Sequence, residues 1–161
     1  MSRATEQASI TVRATPAEAF RAIADLSRIG EWSSECTRVR WKGDGIPRQG
    51  AKFRGYNRRG LRRWSTTGRV VNYEPGKFFS WNVSFLGLPM ANWSYRFEAE
   101  DGGCRITERW VDRQLFLTRP GIVGWLVTGT WRRAQRNAET MEHTLGLMGQ
   151  AIDAEHSHSA A

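Results

Sequence analysis

The 161-residue chain lacks long apolar runs and holds few cysteines, histidines and lysines. No stretch approaches the roughly 18 apolar residues that a transmembrane helix needs. Residues 1–10 lack the apolar segment of a secretory signal. Cys36 and Cys104 are too few for a disulfide framework or a cysteine-rich zinc site; two free thiols are expected, with a single disulfide left open. These absences favour a cytoplasmic protein without a membrane span.

Metal- and nucleotide-binding motifs are also missing. His143 is the only histidine outside the C-terminal tail, and helical periodicity turns it away from Met141 toward solvent. His156 and His158 in the tail are interpreted as frayed polar residues in preference to a metal-binding pair. Gly43-Asp44-Gly45 is typical of a turn and does not form a phosphate-binding loop. We therefore expect neither a metal nor a cofactor.

What the chain does have is tryptophan and positive charge. It contains 8 Trp, and 24 Lys and Arg give a net charge of +8. The apolar fraction of 40% and the charged fraction of 25% are ordinary for a globular protein. A chain of this length buries roughly 70% of its unfolded surface, enough for one core. We predict one domain over residues 1–153 and a disordered tail over residues 154–161.

The N-terminal segment predicts a strand followed by a helix. Residues 6–13 alternate between apolar and polar side chains, which is typical of a strand. Thr15 and Glu18 have the spacing of a capping box, and Pro16 suits the first helical position. This helix is expected to end near Ser27, with a short helical turn over residues 28–32.

From Cys36 to Trp110 the period is two, and short turns separate six predicted strands. Strands joined by short turns pair antiparallel, because parallel strands need a long crossover. Turn residues occur at Arg59-Gly60-Leu61, at residues 74–77 and at residues 101–103. The large aromatic side chains fall on one face and the arginines on the other. The sheet is thus predicted to have one dry and one wet face.

A long amphipathic helix is predicted from about Pro120. One apolar stripe runs to Ile152 over some 30 residues, which span on the order of 45 Å. Only the aromatic face of the sheet offers an apolar surface large enough to cover that stripe. The stripe consists of Val123, Leu126, Val127, Thr130, Ala134, Asn137, Ala138, Met141, Leu145, Met148 and Ile152.

The order of elements predicts an α+β helix-grip fold, with a seven-stranded antiparallel curved sheet wrapped around a long C-terminal helix and two short helices after strand one. Over residues 6–152 the chain resembles the SRPBCC (birch-pollen-allergen-like, START) superfamily, and within it the polyketide cyclase/dehydrase and lipid-transport group. The matching segments are Ala8–Val12, Pro16–Phe20, Trp32-Ser33 with Val39, Gly50–Arg54 and Tyr73–Gly76. The resemblance implies a hydrophobic cavity between sheet and helix.

The residues predicted to line that cavity combine large rings with a few polar groups, as in ligand sites generally. Filling of the core is the alternative interpretation for each tryptophan. The predicted lining consists of Trp32, Trp41, Phe53, Asn57, Trp64, Thr66, Trp81, Trp93, Tyr95, Glu108, Trp110, Val127, Thr130, Asn137 and Met141.

Glu108 is the polar member with the clearest chemical consequence. A carboxylate on a dry face is costly unless it is paired or neutralised. Either Glu108 pairs with an arginine or with Asn57, or its pKa is raised and it serves a ligand. A one-residue bulge would instead turn it outward.

Three functions are compatible with these patterns. The first is a non-catalytic binder of a hydrophobic small molecule such as a lipid, polyketide or aromatic metabolite. The second is a polyketide cyclase/dehydratase-type enzyme with Glu108 as acid/base and with Asn57 and Tyr95 orienting an oxygen. The third is a basic module for nucleic acid or an acidic membrane. We favour them in this order, with the protein a monomer or homodimer and without specific nucleic-acid binding.

Arginines concentrate at one predicted hairpin, Arg58–Arg63 with the sequence RRGLRR. An acidic partner docked there is one interpretation. A solvated hairpin in an arginine-rich proteome is the other, and the sequence favours it because the aromatic residues needed for base stacking are predicted to point inward.

Overall fold

A computed structural model describes residues 5–114 and 133–159. Seven strands form one antiparallel sheet in the order β1-β7-β6-β5-β4-β3-β2. The predicted α+β helix-grip architecture is confirmed. The strands are β1 (Thr5–Val12), β2 (Cys36–Trp41), β3 (Lys52–Arg59), β4 (Arg62–Glu74), β5 (Phe78–Phe85), β6 (Leu88–Glu100) and β7 (Gly103–Asp112); the helices are α1 (Pro16–Ala24), a 3-10 helix (Leu26–Glu31) and α2 (Arg133–Ser159).

The sheet has one dry face and one wet face, and β7 shows the alternation clearly. Ile106, Glu108 and Trp110 are buried, whereas Arg105 and Arg109 on the opposite face are exposed. Side chains of successive residues in a strand point to opposite faces, so one apolar set reaches the core intact. Within the described residues, no helix is both long and apolar enough to span a bilayer.

Helix α1 begins at the predicted capping box. The Glu18 amide donates to Thr15 Oγ1, and the Thr15 amide donates to Glu18 Oε2 at 2.8 Å. Pro16 occupies the first turn, where a missing amide hydrogen costs nothing. The cap fixes the start of a helix that carries Phe20 into the core.

Aromatic rings fill the half of the core nearest α1. The ring of Phe20 meets Tyr73, Phe79 and Phe97 edge to face, with centroid separations of 5.1, 6.1 and 5.5 Å. Such pairs add to the stabilisation from apolar burial. This end of the core is therefore solid, and the open space of the domain lies at the other end of the sheet.

Helix α2 crosses the dry face close to β1. Met141, Leu145, Met148 and Ile152 are buried, in agreement with the C-terminal part of the predicted stripe. Residues 120–132, where that helix was predicted to begin, lie outside the described residues, as do Val123, Leu126, Val127 and Thr130.

The structure differs from the predicted disordered tail, because residues 154–159 continue α2. Arg28 bonds to Glu155 at 2.7 Å, and His156 Nδ1 lies 3.1 Å from Glu18 Oε2. The tail composition is polar, but its charges meet partners on α1 and the 3-10 helix. These contacts hold the last turns against the domain.

Candidate functional site

A cavity of about 160 Å³ lies between the dry face of the sheet and helix α2. Ser33, Ser34 and Glu35, on the connection between the 3-10 helix and β2, form one part of its wall. Ser34 is exposed, so the cavity reaches the surface there. The other lining residues are Leu26, Ile29, Cys36, Val39, Phe53, Gly55, Asn57, Trp64, Thr66, Trp81, Val83, Trp93, Glu108, Thr140, Met141 and Thr144.

Two glycines help to make the space on the sheet side. Gly68 pairs with Phe53 across β3 and β4, and a methyl group at Gly68 would overlap the Phe53 ring. Gly55 pairs with Thr66, and a methyl group there would lie 3.1 Å from Thr66 Oγ1. The absence of a side chain at Gly68 lets the ring of Phe53 lie along the sheet.

Glu108 lies on the dry face with no bulge around it. The pairing of β7 runs unbroken on both sides, through Ala8 of β1 and Tyr95 of β6. Its side chain is 2% exposed, and Tyr95 Oη donates to its Oε1 at 2.5 Å. The other oxygen, Oε2, is buried without a hydrogen-bond partner among the described residues. The predicted inward orientation is thus found, and the partner is a tyrosine rather than an arginine or Asn57.

Burial raises the pKa of Glu108 to about 7, and the hydrogen bond from Tyr95 acts in the opposite direction. Burial, followed by the charge of Glu108, raises the pKa of Tyr95 well above its ordinary value. Tyr95 therefore stays protonated and remains a donor near neutral pH. Glu108 is divided between its two protonation states there, so Oε2 can accept or supply a proton.

The remaining polar groups of the cavity are weaker candidates for chemistry. Burial raises the pKa of the Cys36 thiol to about 11, which leaves it protonated and poorly nucleophilic near neutral pH. Asn57 Nδ2 donates to Thr66 Oγ1 at 3.4 Å. His143 is exposed. In the part of the chain that the structure describes, no group of three or more metal-ligating side chains is placed to hold an ion.

The structure separates the predicted lining residues into three sets. Those that line the cavity are Phe53, Asn57, Trp64, Thr66, Trp81, Trp93, Glu108 and Met141. Those that lie elsewhere are Trp32, Trp41, Tyr95 and Trp110. Val127, Thr130 and the side chain of Asn137 lie outside the described residues.

The residues off the cavity have packing roles. Trp41 packs edge to face on Phe53 at 5.3 Å, and Tyr95 stacks on Trp81 at 5.8 Å. Trp110 is buried with Ala91, and its Nε1 has no hydrogen-bond partner among the described residues. Trp32 is also buried. For these side chains, inward orientation reflects core packing.

Sequence reasoning missed most of the wall that strands do not supply, and it also missed Cys36, Val39, Gly55 and Val83 on the strands. Ser33, Ser34 and Glu35 belong to a loop without periodicity, and no sequence pattern indicated them. Thr140 and Thr144 flank Met141 on α2, and their spacing of four residues places them on one helix face. That spacing was the available signal, but polar side chains do not stand out in an apolar stripe.

Residues 3–146 match the protein family described as polyketide cyclase/dehydrase and lipid transport. Comparison with curated proteins gave no match.

Solved structures share the fold over almost the whole chain. A Polyketide_cyc-like protein from Corynebacterium glutamicum is 25% identical, with a TM-score of 0.66, and the match covers 98% of this chain and 96% of the other. Ara h 8.0201 is 14% identical with a TM-score of 0.68, over 94% and 98% of the two chains. The di-domain ARO/CYC StfQ from the steffimycin biosynthetic pathway is 13% identical with a TM-score of 0.68, over 98% of this chain and 52% of that one.

Proposed function

Because the chain belongs to the polyketide cyclase/dehydrase and lipid transport family, we propose that it binds a hydrophobic small molecule in the cavity between the curved sheet and α2. Phe53, Trp64, Trp81 and Trp93 supply most of the apolar wall. A cavity of roughly 150 Å³ with such a lining holds one benzene ring. The ligand, or the part of it that enters, is thus an aromatic or short aliphatic group.

The observation that carries this proposal is the open volume itself. Four aromatic side chains stand on the sheet wall, opposite Thr140, Met141 and Thr144 of α2, and still leave about 160 Å³ of open volume. Protein interiors are packed nearly as densely as organic crystals, and large voids are few. An open apolar space that reaches the surface is the ordinary form of a small-molecule site.

Calorimetric titration with indole tests the proposal, because indole is one fused ring system with a single N–H donor for Glu108 Oε2. We expect saturable binding that Thr144→Trp weakens by at least about tenfold, since the new ring occupies the space beside Met141. Gln150→Trp adds the same ring on an exposed position of the same helix and serves as the control.

Thermal unfolding of both variants verifies that each is folded. Absence of indole binding to the wild-type protein, or equal binding by both tryptophan variants, would reject the cavity as the site.

The second candidate function is cyclisation and dehydration of a polyketide-like chain. The free Oε2 of Glu108 and its pKa of about 7 favour it. As carboxylate, Oε2 would take a proton from a methylene between two carbonyl groups, which then attacks a carbonyl carbon. The resulting carboxylic acid would return that proton to the alkoxide formed, which gives a hydroxyl group and regenerates the carboxylate. The carboxylate would then take the second proton of the former methylene and return it to the departing hydroxyl, so that a C=C bond forms and water leaves. Tyr95 would hold Glu108 in place, and Asn57 would orient a substrate oxygen.

Glu108→Gln separates binding from catalysis. The amide keeps the shape of the side chain but cannot exchange the proton. We expect indole binding to survive and turnover of a poly-β-ketone chain, followed by aromatic absorbance, to fall by about 10²–10⁴-fold. Unchanged turnover would eliminate the acid/base role and leave the binding function standing.

For the oligomeric state and the cellular location of the protein, we keep the predictions made from the sequence. We propose a single domain that includes the last turns of α2, acting as a monomer or homodimer in the cytoplasm.

A further inference from the structure

The β3–β4 hairpin ends in an apolar tip. A two-residue loop, Gly60-Leu61, joins strands that pair as far as Arg59 and Arg62. Gly60 has φ 56°, which suits the first position of a tight hairpin turn and leaves Leu61 at the second. Leu61 is 100% exposed, so its side chain contacts only solvent.

Arginines surround this tip on both faces of the hairpin. Arg58 pairs with Arg63, and Arg59 pairs with Arg62. Residues directly opposite each other share a face, and successive pairs alternate between faces. Like charges in opposed positions repel each other across the hairpin, while Arg58 Nε donates to the Gly60 carbonyl at 3.2 Å. The arrangement forms a ring of cations around one exposed leucine.

The neighbouring hairpin also carries exposed leucines at its turn, although without arginines. β5 and β6 are joined through Leu86 and Gly87, and Leu86 is 87% exposed. Leu86 has φ 49°, a left-handed conformation that glycine or asparagine adopts at less cost. Leu88 beside it is also exposed. An exposed leucine in a strained position gains nothing for the fold.

Both hairpins lie at the same end of the sheet as the cavity mouth. In an antiparallel sheet the β3–β4 and β5–β6 connections fall at one end, and the β2–β3 and β4–β5 connections at the other. Asn57 and Trp64 line the cavity and immediately precede and follow the arginine pair Arg58 and Arg63. The charged, leucine-tipped segment Arg58–Arg63 is therefore continuous with the cavity wall.

We propose that the hairpin tip Arg58–Arg63 docks on an anionic phospholipid surface, with Leu61 inserted among the acyl chains and the arginines against the lipid phosphates. Basic residues with an apolar anchor are the combination that binds anionic bilayers. Docking would bring the cavity mouth to the source of an apolar ligand. This role rests on the proposed binding function, because it supplies the partner from which the cavity is filled.

The leucine tips favour a membrane over nucleic acid. Nucleic-acid binding needs cations and rings that stack on bases, and a leucine adds little to either. The β3–β4 tip projects farther than the β5–β6 tip, because Thr67 pairs with Ser84, six residues after Leu61 but only two before Leu86. The difference of about four residues corresponds to roughly 13 Å at the usual rise of a strand. Leu61 would make the first contact with the membrane.

Co-sedimentation with vesicles tests the proposal. We expect binding to phosphatidylcholine vesicles that contain phosphatidylserine, and much weaker binding to phosphatidylcholine alone. Leu61→Ser should weaken binding by at least about tenfold, the loss expected when one leucine side chain is no longer buried. Ile46→Ser is the matched control, since Ile46 is exposed on the β2–β3 connection at the opposite end of the sheet.

Charge is tested in the same assay. The double variant Arg62→Gln with Arg63→Gln should bind less than Lys77→Gln with Arg21→Gln, which removes the same charge away from the hairpin. Raising NaCl from about 0.1 M to about 1 M shortens the screening length from roughly 10 Å to 3 Å and should also reduce binding.

Three outcomes would overturn the proposal: absence of vesicle binding, vesicle binding that Leu61→Ser leaves unchanged, or binding confined to a single-stranded oligonucleotide. Indole titration of Leu61→Ser keeps this test separate from the cavity. Normal indole binding by Leu61→Ser together with lost vesicle binding supports docking. Absence of indole binding by the wild-type protein rejects only the function of the cavity.

Discussion

At position 108 a carboxyl group lies on the dry face of the sheet with one oxygen bonded and the other without a partner in the described structure. Burying a carboxylate is costly, and the raised pKa shows that the neutral form is favoured inside the protein. The site therefore keeps a titratable group whose burial opposes stability above neutral pH.

The stability of the folded protein should fall as the pH rises from about 4.5 to about 7. The pKa of Glu108 is raised from its ordinary 4.5 to about 7, so the folded state holds a proton that the unfolded state has released in this range. The stabilisation is complete below about 4.5, is lost as the pH rises through 7, and amounts to on the order of 3 kcal/mol. Glu108→Gln should remove this dependence of stability on pH. The free energy of unfolding in urea, measured at pH 5 and pH 8 for both proteins, provides the comparison.

Other carboxyl groups act in a different pH range. The pKa values of Glu18, Asp44 and Glu100 are lowered, chiefly by hydrogen bonds from Thr15, Arg48 and Arg105. A lowered pKa gives stability that is present above the ordinary value and is lost as the pH falls through the folded value. Between pH 5 and pH 8 these three carboxyl groups therefore change the free energy of unfolding very little. An equal slope in Glu108→Gln and wild type would assign the effect to another group.

At the scale of elements, the seating of α2 on β1 sets how close the helix comes to the sheet. A methyl group at Gly149 would lie 2.7 Å from Ile10 Cδ1 and 3.5 Å from Val12 Cγ1. One turn earlier, Gly146 has nothing within 4 Å. Gly149 therefore permits close contact between α2 and β1, and Gly146 has no such packing role.

Alanine substitutions should distinguish these two glycines. Gly146→Ala should stabilise the protein by about 0.5–1 kcal/mol, because alanine is the better helix former and the position is open. Gly149→Ala gains the same helix propensity but must displace Ile10. We expect it to be less stable than Gly146→Ala by about 1 kcal/mol. Chemical denaturation of both variants gives the comparison, and equal stabilities would show that α2 has room to move away from β1.

For the whole molecule, the excess positive charge gathers on the convex face of one half of the sheet. Arg40 lies opposite Arg54, and Lys52 lies opposite Arg69. Among the described residues these side chains have no acidic partner within ion-pair distance. Self-repulsion of this kind weakens a compact state. The outward cations on these three strands are Arg38, Arg40, Lys52, Arg54, Arg58, Arg63 and Arg69.

Moderate salt should therefore stabilise the protein. Raising NaCl from about 0.01 M to about 0.1 M shortens the screening length from roughly 30 Å to 10 Å, and the melting temperature should rise. Arg40→Glu replaces a repulsive pair with an attractive one. It should therefore raise the free energy of unfolding by about 0.2–1 kcal/mol at low salt and make the melting temperature less dependent on salt. Arg40→Gln separates lost repulsion from gained attraction. A wild-type melting temperature that falls with salt would contradict this.

Local patterns determined most of the fold. The capping box at Thr15, the alternation around Glu108 and the turn residues between strands placed the elements correctly, because each depends on neighbours within a few residues of the chain. Their order then predicted the helix-grip fold and the inward position of Glu108. The polar C-terminal residues were assigned to a tail because their partners, Glu18 and Arg28, are distant in sequence.

The strand period of two assigns each side chain to one face without reference to the rest of the molecule, so the inward residues follow from the order of amino acids. Which inward residues meet open space, and which pack together, depends on how the elements are arranged in the folded protein. Trp64 and Trp93 line the cavity while Trp41 and Trp110 lie off it, although all four belong to the same alternating pattern. The physical reason is that an empty volume depends on sheet curvature and on the seating of α2, and both are set by contacts between residues far apart in the chain.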